Sequence, residues 1–179
     1  MGKFVFGIVV GLIVAVLSVY FYFATGRAPV ATSDPAMPLE KMLASKALNA
    51  RIEREMPGKA PLPADESNYL AGAKVYRENC AMCHGIPGQP RTNAAMGMYP
   101  YPPELFKGKG VTDDPAGETY WKAKNGIRLT GMPGFKETLS DTQLWQVSLV
   151  LANADKLPQS VRDSLSAGAG TAASPSPTK

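Results

Sequence analysis

The sequence predicts an all-α protein in two parts: one helix long enough to cross a membrane, then a small domain of short helices. Three observations carry that prediction. Phe4 to Phe23 is an apolar run without a single charge. Helix-opening and helix-closing residues stand at several points in the middle of the chain. Gly- and Pro-containing loops separate those signals, as expected when short helices wrap around something they must enclose.

Composition narrows the function classes. The 179 residues carry 19 Lys+Arg against 15 Asp+Glu, with two Cys and one His. A hydrophobic share of 45% is too high for a fully disordered chain. Two cysteines cannot build a disulfide scaffold. With the lone His they give three soft ligands, which excludes a closed Cys/His zinc site and a Cys-only iron–sulfur cluster. The net charge of +4 comes without a Lys/Arg-rich run, so nucleic acid is not an expected partner.

At 1.5 Å per residue, a helix over Phe4–Phe23 spans about 30 Å, the thickness of the hydrocarbon layer. Its far end, Tyr20-Phe21-Tyr22-Phe23, is aromatic, as at a headgroup boundary. A cleaved secretory signal is the alternative, with Ala24-Thr25-Gly26 as its weak cleavage site. Such signals usually carry a shorter apolar stretch of about 7–15 residues, which favours a retained anchor. Lys3 and Arg27 flank the run on opposite sides and do not orient it.

Pro38 to Met56 reads as a juxtamembrane spacer helix, with Leu39, Met42, Leu43, Ile52 and Met56 on part of one face. Pro57, Pro61 and Pro63 then form a stiff linker. At the other end, Ala167–Lys179 is built of Ala, Gly, Ser, Pro and Thr and is expected to be disordered. The expected boundaries are an anchor over 1–27, spacer and linker over 28–64, a folded domain over 65–157 and a disordered tail over 158–179.

Within the domain, Asp65 or Ser67 can cap a first helix. Asp114-Pro115 supplies an N-cap followed by Pro at the first helical position, and Gly126 can end that helix. Ser140-Asp141-Thr142-Gln143 is a capping box, opening a helix whose Leu144, Val147 and Leu151 share a stripe. A domain of this size buries only about 60–65% of its unfolded surface and is marginal without a staple.

Cys80-Ala81-Met82-Cys83-His84 meets that need. Two thiols three positions apart on a helical turn can add across the two vinyl groups of haem, and the adjacent His is then held under the iron. This pentapeptide is a c-type haem attachment signal. A thioredoxin-like redox pair and a fragment of a metal site are the rival readings; a redox pair would follow a strand, and no strand-like alternation precedes Cys80. His84 is the only His, so the sixth ligand has to be sought among the methionines. Met1, Met37, Met42 and Met56 precede the domain, and Met82 lies inside the attachment turn. Met132 is preferred over Met98 and Met96, because Thr130-Gly131-Met132-Pro133-Gly134 is a rigid, non-helical setting poorly explained as core filler.

From Gly72 to Leu151 the chain resembles a class I c-type cytochrome, in particular the small bacterial membrane-anchored mono-haem type. Gly72 and Tyr76 precede the attachment motif in the family's Gly-x-x-x-aromatic pattern. Tyr120-Trp121 and Asn125-Gly126-Ile127 lead into a loop similar to the family's methionine-ligand loop, and Trp145 lies in a final helix. The Pro- and Tyr-rich insert Met98–Pro103 departs from the usual single Pro-x-Leu. The resemblance implies a cytochrome c fold of three to five short helices around one haem c, attached through Cys80 and Cys83 and ligated by His84 and Met132. It also implies that the second ring nitrogen of His84 donates to the carbonyl of Pro103, with Pro102 and Pro90 as runners-up. Trp121 is a candidate for a propionate hydrogen bond.

The expected role is single-electron transfer rather than catalysis, on the periplasmic face of a bacterial inner membrane, between redox protein partners. A subunit of a larger oxidase or dehydrogenase and a haem-based ligand sensor with a displaceable Met are the alternatives. Lys122, Lys124, Arg128 and Lys136 bracket Met132 and form a candidate docking ring for an acidic partner. Against it, Glu66–Lys156 holds ten Lys/Arg and nine Asp/Glu.

Overall fold

The computed structural model describes residues 1–107 and 114–167. Every regular element among them is a helix, and the chain divides into two compact units, Met1–Ser45 and Lys46–Lys179. The first unit holds α1 (Gly2–Ala24), apolar and long enough to cross a membrane, a property that a signal sequence near the N-terminus shares. The Thr25 hydroxyl donates to the Phe21 carbonyl at 2.7 Å and closes that helix. Beyond it, the Asp34 carboxylate accepts from the backbone N–H groups of Ala31 and Val30, which hold its pKa below the usual value.

The next helix, α2 (Glu40–Glu55), begins two residues later than Pro38 because Leu39 sits at φ 66°, outside helical space. Its second half belongs to the other unit, and there the expectation of a free spacer is corrected. Ile52 is only 2% exposed, and Ala60 and Leu62 from the Pro-rich segment pack against the core. Gly117 makes this approach sterically feasible. A Cβ there would stand 1.9 Å from the Pro57 carbonyl oxygen. Residues 46–64 are therefore a strap on the domain rather than a linker to it.

The domain is built on α3 (Glu66–Asn79) and α7 (Asp141–Ala152). Asp65 caps α3, accepting from Asn68 N–H at 2.9 Å. Ser140 and Gln143 form the full capping box that opens α7. The two helices cross in contact at Gly72, where a Cβ would lie 2.2 Å from the Gln146 carbonyl oxygen. Such an approach is open only to glycine. Below the crossing, Tyr76 is fully buried, meets Phe106 edge-on at 4.9 Å and donates to the Gly85 carbonyl at 2.7 Å. Burial pushes its ionisation well above the ordinary range, so the phenol stays a donor.

A third helix, α6 (Ala116–Asn125), packs on α7 through Tyr120, whose ring stacks on Trp145 at 4.2 Å. It starts one residue later than expected. Pro115 is the N-cap in extended conformation, and Asp114 instead pairs with Lys122 at 2.8 Å. Two single-turn helices, α4 (Ala81–His84) and α5 (Asn93–Met96), lie between α3 and α6.

The disordered tail expected from residue 158 is also corrected. Gln159–Ser166 forms α8, which packs on α3. Leu157, Val161 and Leu165 recur every four residues and are buried, and the Ser160 hydroxyl reaches the Glu66 carboxylate. Two apolar residues in an eight-residue helix are a faint signal, and the stripe becomes visible only when Leu157 is counted with them. Residues 168–179 of the expected tail lie outside the described residues.

Gly72→Ala is expected to destabilise the domain by about 1–3 kcal/mol or more, because backbone rather than a flexible side chain fills the space. Gly58→Ala, whose Cβ would meet nothing within 4 Å, is the matched control. Thermal unfolding of the two variants should separate them by several degrees.

Candidate haem-binding site

Cys80 ends α3 and opens α4, so the attachment residues follow the crossing helix without a break. Cys83 N–H and His84 N–H both turn back to the Cys80 carbonyl, at 3.1 and 2.9 Å. Gly85, at φ 81°, stops the turn immediately after His84. One short turn thus presents Cys80, Cys83 and His84 together. The two thiols are not joined to each other.

Burial, reinforced by Cys83, pushes the Cys80 thiol up to about 12. No group of three or more His, Cys, Asp or Glu is placed to hold a metal ion among the described residues.

His84 Nδ1 lies 2.8 Å from the Pro103 carbonyl oxygen, the acceptor that the resemblance implied. A carbonyl only accepts, so Nδ1 carries the proton and Nε2 is left with its lone pair. Burial lowers the pKa of the ring, and the bond to Pro103 offsets part of that. The result is a neutral, oriented imidazole. Thr92 ties the next element to the turn by donating to the Met82 carbonyl at 2.6 Å while capping α5 through Ala95 N–H.

Met132 belongs to a loop that follows α6. Gly126, at φ 70°, ends that helix, and a Cβ there would lie 2.5 Å from Gly134 N. The loop therefore closes glycine against glycine. Inside it, Ile127 N–H donates to the Met132 carbonyl at 3.2 Å, and Met132 N–H to the Thr130 hydroxyl at 3.1 Å. Phe135 N–H then returns to the Ala123 carbonyl at 2.9 Å, fastening the loop's exit to α6. Of the other candidate thioethers, Met96 is 61% exposed, whereas the Met98 sulfur rests against this loop, 3.1 Å from where a Gly131 Cβ would be.

Two expected roles fall elsewhere. Trp121, a candidate for a propionate hydrogen bond, gives its indole N–H to the Glu55 carboxylate of the strap at 3.2 Å. The docking ring is largely neutralised within the domain. The Lys122 ammonium lies 2.8 Å from Asp114 and 2.6 Å from Glu118, and Lys124 lies 3.0 Å from Asp141. Burial alone would lower the Lys122 pKa, but the hydrogen bonds its ammonium donates to the two carboxylates outweigh that and hold it above the usual value. Lys136 sits 3.5 Å from Glu137.

The residues fit a covalently attached haem. Two unbridged thiols at the required spacing and a neutral imidazole with one free nitrogen are the donors that such a group requires, and Ile86, Leu105 and Phe106 pack on the same core cluster as Cys80. An all-α domain with this turn is a c-type cytochrome domain, and the chain carries one of the small kind. Residues 67–149 match the family model described as Cytochrome C oxidase, cbb3-type, subunit III. Among curated proteins, the thiosulfate dehydrogenase of Stutzerimonas stutzeri (strain A1501) is 30% identical over 142 residues, covering 76% of this chain and 45% of its own length. The chain thus spans less than half of that relative. A solved chain from the reducing HAO-like protein complex of Kuenenia stuttgartiensis is similar over 57% of this chain and 52% of its own, at 26% identity and a TM-score of 0.45.

Gly126→Ala should cost about 1–2 kcal/mol from the left-handed backbone alone, and more from the clash with Gly134. Its expected signature is loosening of the 127–134 loop ahead of global unfolding, measured as faster hydrogen exchange at Ile127 and Met132.

Proposed function

We propose that the protein is a membrane-anchored mono-haem c-type cytochrome that carries single electrons between redox partners. In this reading haem c is attached through Cys80 and Cys83, and its iron is held by His84 and Met132. The observation that carries the proposal is the attachment turn, where two free thiols precede a neutral imidazole whose Nδ1 is committed to Pro103 and whose Nε2 is free. Bound there, haem supplies a one-electron ferric/ferrous couple.

The chain's own residues do the rest. The carbonyl of Pro103 fixes the tautomer and orientation of His84 and raises the basicity of its free nitrogen. The glycine-closed loop and two backbone hydrogen bonds, from Ile127 N–H to the Met132 carbonyl and from Met132 N–H to the Thr130 hydroxyl, hold the backbone at Met132. A His/Met pair raises the reduction potential relative to other ligand pairs and leaves no open position, which suits electron transfer more than catalysis. In this reading the Gly2–Ala24 helix is a single-pass anchor in a bacterial inner membrane, with the haem domain on the periplasmic side, where by family analogy haem attachment of this kind takes place. A second reading, a cytochrome subunit fixed in an oxidase or dehydrogenase complex, draws on the oxidase description of the matching family and on the relative's name. Co-purification in mild detergent distinguishes it from a free carrier.

Ligation is tested by carbon monoxide. The ferrous full-length protein should refuse it at neutral pH, and Met132→Ala should bind it while losing the long-wavelength thioether–iron absorption band. A wild-type protein that binds carbon monoxide readily would replace the carrier by a ligand sensor. An unaltered band in Met132→Ala would transfer the ligand role to Met98.

A further inference from the structure

The carbonyl that orients His84 belongs to an awkward segment. Tyr99 to Glu104 contains Pro100, Pro102 and Pro103, none of which has a backbone N–H. The three prolines donate no backbone hydrogen bonds, so a side chain that grips this segment has a direct part in holding Pro103.

Among the described residues, Arg91 supplies such a grip. Its Nη1 donates to the Pro102 carbonyl at 2.8 Å, and its Nη2 lies 3.4 Å from Glu104 Oε2. The guanidinium carbon stands 6.0 Å from the centre of the Tyr101 ring. Residues 101, 102 and 104 therefore all meet one planar cation, and the residue between them is Pro103, whose carbonyl accepts from His84. Glu104 is itself held from the other side by Lys107 at 3.7 Å. We infer that Arg91 is a positioning residue for the proximal histidine, clamping the backbone on both sides of Pro103 so that its carbonyl stays aimed at Nδ1.

The competing account is a surface ion pair of little consequence. A pair of this kind contributes little on its own, and the Arg91 and Glu104 side chains are 35% and 25% exposed. The bond to Pro102 is a different matter. A charge-assisted bond to a carbonyl with no neighbouring N–H donors directs backbone, and the guanidinium fork reaches a carbonyl and a carboxylate at once, which an ammonium does poorly. Through Pro103 the effect reaches the iron. A firm Nδ1 hydrogen bond makes the imidazole a stronger donor and favours the oxidised state, so loosening it raises the reduction potential.

The inference rests on His84 being the haem ligand, and the experiment separates the two. Full-length, haem-loaded wild type, Arg91→Lys, Arg91→Gln and Glu104→Gln are compared in detergent by potentiometric titration and by NMR exchange of the His84 Nδ1 proton. Arg91→Gln should exchange that proton about tenfold faster or more and shift the potential upward at unchanged haem content. Arg91→Lys and Glu104→Gln should shift both readouts the same way by less, and they decide the matter if Arg91→Gln does not load. Loaded variants that exchange and titrate like wild type would overturn the role of Arg91. A wild-type chain without covalent haem would overturn the haem reading instead, before any variant is compared.

Discussion

The contact between Gly72 and the Gln146 carbonyl is the constraint on which the domain depends. It lets α3 and α7 approach with backbone against side-chain-free backbone, and it fixes where α3 ends. The attachment turn begins at that end, so the position of Cys80, Cys83 and His84 follows from the crossing. The other half of the site arrives through the same helix. Tyr120 stacks on Trp145 of α7, which sets α6, and the Met132 loop hangs from the C-terminus of α6. One helix thus serves as the common reference for the two candidate iron ligands.

Around this spine, polar groups are used to hold backbone. Tyr76 reaches from the buried face of α3 to the Gly85 carbonyl just past His84, so the core and the attachment turn share one hydrogen bond. Tyr120, Lys124 and Asp141 form a small network joining α6 to the first turn of α7, in which Tyr120 and Lys124 both hold the Asp141 pKa below the usual carboxylate value. Lys124 is thus paired within the domain, as Lys122 is with Asp114 and Glu118.

Much of the fold was legible in local signals, although Asp114-Pro115 set the start of α6 one residue early. Asp65, the Ser140–Gln143 box and Gly126 each act within a few residues of themselves, and each stands where its chemistry placed it. The attachment motif is equally local, since its spacing is its geometry. What could not be read depends on partners far away in the chain. Glu55 receives the Trp121 indole across 66 positions, and nothing near either residue advertises the pairing. The docking of Ile52, Ala60 and Leu62 depends on Gly117, and the burial of α8 depends on the flank of α3. The bond from His84 to Pro103 was anticipated through family likeness, whereas the clamp of Arg91 around it had no sequence signal.

The account stands or falls on one covalent fact, which intact-mass spectrometry of the denatured full-length chain tests directly. The wild-type chain should be heavier than its sequence by a single haem that unfolding does not release, and Cys80→Ser/Cys83→Ser should show the bare polypeptide mass. A wild-type chain at bare mass after maturation in a cell competent for haem attachment, or a double variant that keeps the added mass, would contradict it.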